Sequence, residues 1–148
     1  MKEKIKSLTK EFLDKMGFLS ASVDVSTKDD GFYINIMSGE GRILIGKNGA
    51  NLSAIERVLH VFLKQKLGSP IYFSIDVNNY CESHWRFLRS VAQEAVKKSL
   101  VTNKPIPLPP MSSKARRLVP SELSIRPDVV TESKGVDPNR FIVVYPRP

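Results

Sequence analysis

The stretch Ile43-Leu44-Ile45-Gly46-Lys47-Asn48-Gly49-Ala50-Asn51-Leu52 decides how the rest of the chain is interpreted. An apolar strand or turn ends at Gly46, two polar residues lead to Gly49, and a helix follows. The helix is predicted because apolar residues recur at spacings that place them on one face: Leu52, Ile55, Leu59 and Phe62. Glycines let the backbone turn without Cβ atoms blocking a neighbour. Because the turn opens a helix, its free N–H groups and positive dipole end attract phosphate.

Two other phosphate-binding motifs overlap these residues, and neither fits. Gly41 to Lys47 matches most of the Walker A pattern, but Asn48 stands where the magnesium-binding Ser or Thr belongs. The dinucleotide fingerprint that would start at Gly39 has Leu44 in place of its third glycine. The sequence therefore excludes both motifs.

The composition indicates a globular protein with a polyanionic partner. Of the 148 residues, 41% are hydrophobic and 26% are charged, as is typical of one or two small globular domains. The single Cys81 excludes an internal disulfide, which fits a reducing cytosol, and no apolar run has the length of a membrane span. The net charge of +8 favours nucleic acid, through phosphate neutralisation and counterion release. We therefore expect a cytoplasmic protein.

Periodicity predicts mixed α/β structure in both halves of the chain. The first half is predicted to run helix, strand, strand, turn and helix, strand, over residues 2–16, 21–26, 32–37, 43–66 and 71–77. The second half is predicted to contain helices and strands over residues 79–101, 112–119, 129–133 and 141–145. Ser112 or Ser113 can cap its short helix. The proline-rich run Lys104 to Pro110 is interpreted as a packed edge strand, with a linker as the alternative.

Ile45 to Leu52 resembles the GxxG signature of a KH domain, whose loop clamps about four nucleotides of backbone. The element order of the first half is similar to that of type II KH domains, in which a three-stranded sheet carries helices on one face. The resemblance implies that single-stranded RNA lies beside the turn and that N–H groups from Asn48 to Ala50 hold phosphate. The residues expected to bind RNA are Arg42, Ile43, Ile45, Gly46, Lys47, Asn48, Gly49, Ala50 and Leu52. Of these, Arg42, Ile43, Ile45 and Leu52 would form the groove wall facing the bases.

Met111 to Val119, followed by strands ending at Tyr145-Pro146, resembles the R-three-H domain, a nucleic-acid-binding module named for an arginine and a histidine with three residues between them. Together the halves resemble the bacterial Jag or SpoIIIJ-associated family, without its N-terminal Jag domain, because Lys2 already begins the first KH helix. Arg116 fits the signature arginine, but Pro120 replaces the histidine and is expected to bend or end its helix. The expected fold is α+β, with a type II KH domain over 1–79 and an R-three-H-like domain over 80–148. Nucleic-acid binding by the second domain stays open.

A second basic stretch lies between Glu94 and Glu122, with no acidic residue in the interval. It is either a phosphate-contacting patch or an ordinary solvated face. Its cations are Lys97, Lys98, Lys104, Lys114, Arg116 and Arg117.

No constellation of residues indicates catalysis, a metal or a cofactor. One cysteine and two distant histidines give no zinc-binding spacing. His60 is expected on the exposed side of its helix, and His84 is expected to be structural. The sequence therefore predicts a non-enzymatic RNA-binding protein, with single-stranded DNA as a second ligand class and post-transcriptional regulation as the role that the family resemblance implies. The alternative is an adaptor that uses both domains to dock on a protein partner.

Overall fold

A computed structural model describes residues 1–148 of the chain. The chain divides into two compact units, Met1–Cys81 and Glu82–Pro148. Each unit contains a three-stranded sheet and its own hydrophobic core, so the architecture is mixed α+β. None of the helices is long and apolar enough to cross a membrane.

The elements follow one another in an order close to the predicted one. The first unit contains α1 (Lys2–Lys15), β1 (Ser22–Lys28), β2 (Gly31–Met37), α2 (Gly41–Ile45), a 3₁₀ turn (Lys47–Gly49), α3 (Ala50–Leu67) and β3 (Phe73–Val77). Helix α4 (Tyr80–Thr102) begins in the first unit and continues into the second. The second unit adds β4 (Ile106–Pro107), α5 (Ser113–Leu123), β5 (Val129–Lys134) and β6 (Phe141–Pro146).

The sheet of the first unit has the strand order β1-β2-β3, with β1 antiparallel and β3 parallel to β2. Ile34 lies opposite Val25 on one side and Ile75 on the other. Alternate residues of a strand share a face, and this face packs against α1 and α3, whose contributions to the core include Leu13 and Leu59. Burying each large apolar side chain stabilises the fold by about 1.5–3 kcal/mol.

Asp76 lies in β3 and is fully buried. Its Oδ1 accepts hydrogen bonds from the backbone N–H groups of Val77 at 2.8 Å and Cys81 at 2.9 Å. Its Oδ2 accepts a hydrogen bond from the Tyr33 hydroxyl at 3.0 Å. These donors offset the cost of burying the carboxylate. Asp76 therefore anchors the start of α4 to the first sheet, a role that the alternation pattern of β3 did not reveal.

The sheet of the second unit is antiparallel throughout, with the order β4-β6-β5. Its buried side chains, such as Ile142 and Val144, pack with residues of α4 and α5. At the edge, the Leu108 N–H donates to the Ile142 carbonyl at 2.8 Å. Along an antiparallel strand, successive backbone N–H groups point alternately toward and away from the neighbouring strand. The residues on either side of Ile106 and Leu108 therefore have their nitrogens directed away from β6, and these residues are Pro105, Pro107 and Pro109. The predicted edge strand is confirmed for Ile106–Pro107, two residues of the run Lys104 to Pro110.

Two local features differ from what the sequence predicted. The apolar run before Gly46 forms the short helix α2 instead of a strand or simple turn. Helix α5 continues through Pro120 to Leu123, so of the two expected effects, a bend or an end, the end is excluded. Proline has a helix-compatible φ and removes one main-chain donor. Ser112 caps this helix as one of the two predicted candidates, accepting the Ala115 N–H at 3.2 Å.

Candidate nucleic-acid interface

The segment Gly46–Gly49, here called the glycine corner, connects α2 to α3. Gly46 has φ 70° and ψ −179°, a combination that is essentially restricted to glycine. Asn48 and Gly49 follow in the left-handed region, with φ 54° and φ 77°. Asparagine tolerates this region better than most side chains. The residue types of the glycine corner are therefore explained by its backbone path.

Side chains of the first unit pack closely against the glycine corner. The Asn51 side-chain amide donates to the Ile43 carbonyl at 2.8 Å and so ties α3 to α2. A Cβ atom on Gly46 would lie 2.6–2.9 Å from atoms of the Asn51 side chain. A Cβ atom on Gly49 would lie 3.4 Å from the Tyr80 ring, and burial raises the pKa of the Tyr80 hydroxyl, with smaller contributions from Cys81 and Asp76. Sequence analysis missed both supporting residues because only spatial proximity gives them this role.

The loop before α2 is fixed in a similar way by Asn78, another residue that sequence analysis missed. The Asn78 side chain accepts the Ser38 N–H at 3.0 Å and donates to the Ser38 carbonyl at 2.8 Å. A Cβ atom on Gly41 would collide with the same amide group. The entrance to α2, and with it the position of Arg42, is therefore fixed by a residue at the end of β3.

The predicted RNA-binding residues do not share one environment. The side chains of Arg42, Ile43, Lys47 and Ala50 are exposed, whereas Ile45, Gly46 and Asn48 are half-buried and Gly49 is buried. Leu52 is 4% exposed and belongs to the hydrophobic core. The expectation that Leu52 faces bases is therefore wrong, because it lies on the α3 face that packs against the sheet.

The backbone donors at the glycine corner are only partly available. Helix α3 begins without a side-chain cap, so no side-chain hydrogen bond satisfies its first N–H groups. However, the Gly49 N–H donates to the Gly46 carbonyl at 3.3 Å, and the Ala50 N–H donates to the Lys47 carbonyl. Two of the N–H groups predicted to hold phosphate are therefore already used within the turn. The exposed Lys47 ammonium and the uncapped helix end remain as the groups attractive to an anion.

Arg116 is directed into the second unit instead of toward solvent. Its side chain is 11% exposed, and its guanidinium lies 3.4 Å from the carboxylate of Asp137. The predicted basic patch therefore contains one arginine that is already paired with an acid distant in sequence. The other five cations of that patch are exposed: Lys97, Lys98, Lys104, Lys114 and Arg117.

The two histidines lie in separate surroundings. The His60 ring stacks on the Phe73 ring with centroids 3.9 Å apart, and His60 is half-buried. The expectation that His60 is exposed is therefore wrong. Burial lowers the pKa of His84, whose ring lies beside that of Phe87 in the second unit.

Comparison with known proteins connects both units to bacterial RNA-binding proteins. Residues 86–146 match the R-three-H domain, a nucleic-acid-binding domain. The chain is 29% identical over 126 residues to RNA-binding protein KhpB of Lactiplantibacillus plantarum, an alignment that covers 85% of this chain and 39% of that protein. It is 26% identical to KhpB of Clostridium symbiosum (97% and 67% covered) and 30% identical to KhpB of Bacillus subtilis (74% and 54% covered). The chain thus spans about two fifths of the length of the first relative. It is similar to bacterial proteins named for RNA binding, and its second unit matches the R-three-H domain.

Proposed function

We propose that this chain binds single-stranded RNA at the glycine corner of a type II KH domain formed by its first unit. The observation that carries the proposal is the uncapped start of α3, reached through a backbone path restricted to glycine and flanked by the exposed Lys47. The helix end and the ammonium attract phosphate.

Groups suited to a nucleotide surround the corner. Arg42 is an exposed cation on α2, and Ile43 beside it is 60% exposed. Arg42 and Lys47 would contact phosphates, while Ile43 and the half-buried Ile45 would contact bases. Leu52 has no part in this site because it lies in the core. The names of the relatives and the net charge of +8 support RNA as the ligand.

The second unit would make a smaller, sequence-independent contribution through its exposed lysines. Arg116 would not contribute strongly, because it is paired with Asp137. We further propose that the chain acts in the cytoplasm as a post-transcriptional regulator, holding RNA without a chemical step.

The test is a charge reversal at the glycine corner, Lys47→Asp with Asn48→Asp, measured by RNA affinity at low and moderate salt. A matched control with the same total charge change is Lys64→Glu with Gln65→Glu, at exposed positions near the other end of α3. We expect the corner variant to lose affinity at least tenfold more than the control, with a shallower dependence on salt. Equal losses in the two folded variants would contradict the proposed site.

A further inference from the structure

A shallow depression lies at the hairpin end of the first sheet. It is an open cavity of about 490 Å³ at the β1–β2 hairpin and the start of β3, here called the hairpin cavity. The glycine corner follows the end of β2, whereas the hairpin cavity lies at its start. The first and last of the seven residues of β2 are about 20 Å apart at 3.3 Å per residue.

One wall of the hairpin cavity is aromatic. Phe73 is 9% exposed and is covered by the stacked His60 ring, whereas the neighbouring Tyr72 is 83% exposed. The backbone beneath Tyr72 is fixed, because its carbonyl accepts the Phe32 N–H at 2.9 Å. The same carbonyl lies only 2.7 Å from where a Cβ atom on Gly31 would be. A fixed backbone therefore presents the exposed Tyr72 ring to solvent at this end of the sheet.

The rim of the hairpin cavity carries Lys28, Asp29 and Asp30. The two carboxylates can accept hydrogen bonds from amino and imino groups, and they repel phosphate. The Lys28 ammonium, together with the net charge of +8, disfavours a cationic peptide. A flat, neutral ring with N–H donors on its edge can stack on Tyr72 and donate hydrogen bonds to the two carboxylates. Nucleobases are recognised in this way, by stacking on aromatic rings and by hydrogen bonds along their edges.

We propose that the hairpin cavity binds a nucleobase carrying an exocyclic amino group, with guanine preferred, from the same RNA strand that the glycine corner holds. Tyr72 stacks on the base, and Asp29 or Asp30 accepts from its N–H groups. Guanine presents adjacent imino and amino donors that one carboxylate can accept together, whereas uracil has no amino group. This inference rests on the proposed function, because the RNA strand is taken to run from the glycine corner. Nucleobase binding in the hairpin cavity can nevertheless be tested without the glycine corner.

The first experiment compares RNA strands of two lengths. A strand of about four nucleotides fits a KH loop alone, whereas one of about twelve nucleotides is long enough to reach both sites. Tyr72→Ala should weaken binding of the longer, guanine-containing strand about tenfold, in line with the loss of one stacked base, and should leave the shorter strand unchanged. Tyr72→Phe is the matched control, because it keeps the ring and should keep the affinity. An unchanged affinity of Tyr72→Ala for the longer strand would overturn the proposal.

The second experiment uses guanosine monophosphate, which does not require the glycine corner. In the wild-type chain the nucleotide should shift the amide resonances of Gly31 and Ser74, and Tyr72→Ala should abolish these shifts. Uridine monophosphate should give smaller shifts, and Asp29→Asn with Asp30→Asn should reduce the difference between the two nucleotides. If neither nucleotide shifts these resonances, the cavity proposal fails even when the glycine corner binds RNA. If the shifts occur while the Lys47 and Asn48 charge reversal has no effect on RNA affinity, only the proposed function fails.

Discussion

Helices α3 and α5 both begin beside basic residues. Their starts differ in whether the first N–H groups and the nearby cations have side-chain partners within the chain. At α5, the Ser112 hydroxyl caps the helix and Asp137 pairs with Arg116. At α3, no side chain caps the helix, and Lys47 is exposed. A helix start can attract an anion only where its positive end and nearby cations lack internal partners. The difference in capping therefore favours the first unit as the site of phosphate recognition, although Lys114 and Arg117 are exposed cations of α5.

The largest expected effect comes from Gly46→Ala, which would test whether the α3 start depends on its backbone path. Alanine is strained at φ 70° and ψ −179°, and its Cβ would meet Asn51. We expect a stability loss of about 1–3 kcal/mol and a loss of RNA affinity of at least tenfold. Urea denaturation and a binding titration would measure the two effects.

The control for this substitution is Gly39→Ala. No atom lies within 4 Å of a Cβ built there, and Gly39 does not have a positive φ. It should therefore change neither stability nor RNA affinity. A Gly46→Ala variant that behaved like Gly39→Ala would show that the corner tolerates a different path, and the contrast between the two helix starts would lose its basis.

Neutralising one cation at each helix start would sharpen the comparison further. Lys47→Gln should make the slope of log affinity against log salt shallower by about 0.7, the value for one phosphate contact to a single strand. Arg116→Gln should leave the slope unchanged, because Asp137 already partners this guanidinium. Titrations at several salt concentrations would measure both slopes. A larger change of slope for Arg116→Gln than for Lys47→Gln would assign phosphate recognition to the second unit instead of the first.

The smallest effect on stability and RNA affinity is expected from a substitution at the capped start of α5. Ser112→Ala removes the acceptor for the Ala115 N–H and should cost about 1 kcal/mol of stability. Ser113→Ala is the matched control, since Ser113 is exposed and does not cap the helix. RNA affinity should change little in either variant. Thermal unfolding would measure the difference, and equal stability of the two variants would mean that the cap of α5 is not the distinguishing feature.

The sequence predicted the element order well because the apolar periodicity of most elements is strong. The alternation in β3 and the stripe of α3 each specify one face, and the structure buries those faces. The same stripe should have placed Leu52 in the core, and the resemblance to a GxxG loop led instead to its assignment as a site residue. The motif locates the corner, but the helical period determines which of its neighbours are accessible.

Other features could not be derived from local patterns because they depend on residues distant in sequence. Asp137 pairs with Arg116, which is 21 positions away in the sequence, and Asn78 hydrogen-bonds to Ser38, which is 40 positions away. Asp76 accepts the Tyr33 hydroxyl from a neighbouring strand. No periodicity or spacing rule signals such pairs, since each is fixed only when the sheet register is known. The hairpin cavity was missed for the same reason, because it brings His60 to the start of β3.

The prolines along β4 also determine how the second unit can associate with other chains. The backbone nitrogens of Pro105, Pro107 and Pro109 carry no hydrogen. Other residues at these positions of a free sheet edge would offer hydrogen-bond donors to an incoming strand. Two copies of the chain would therefore be protected from joining through this edge into a continuous intermolecular sheet.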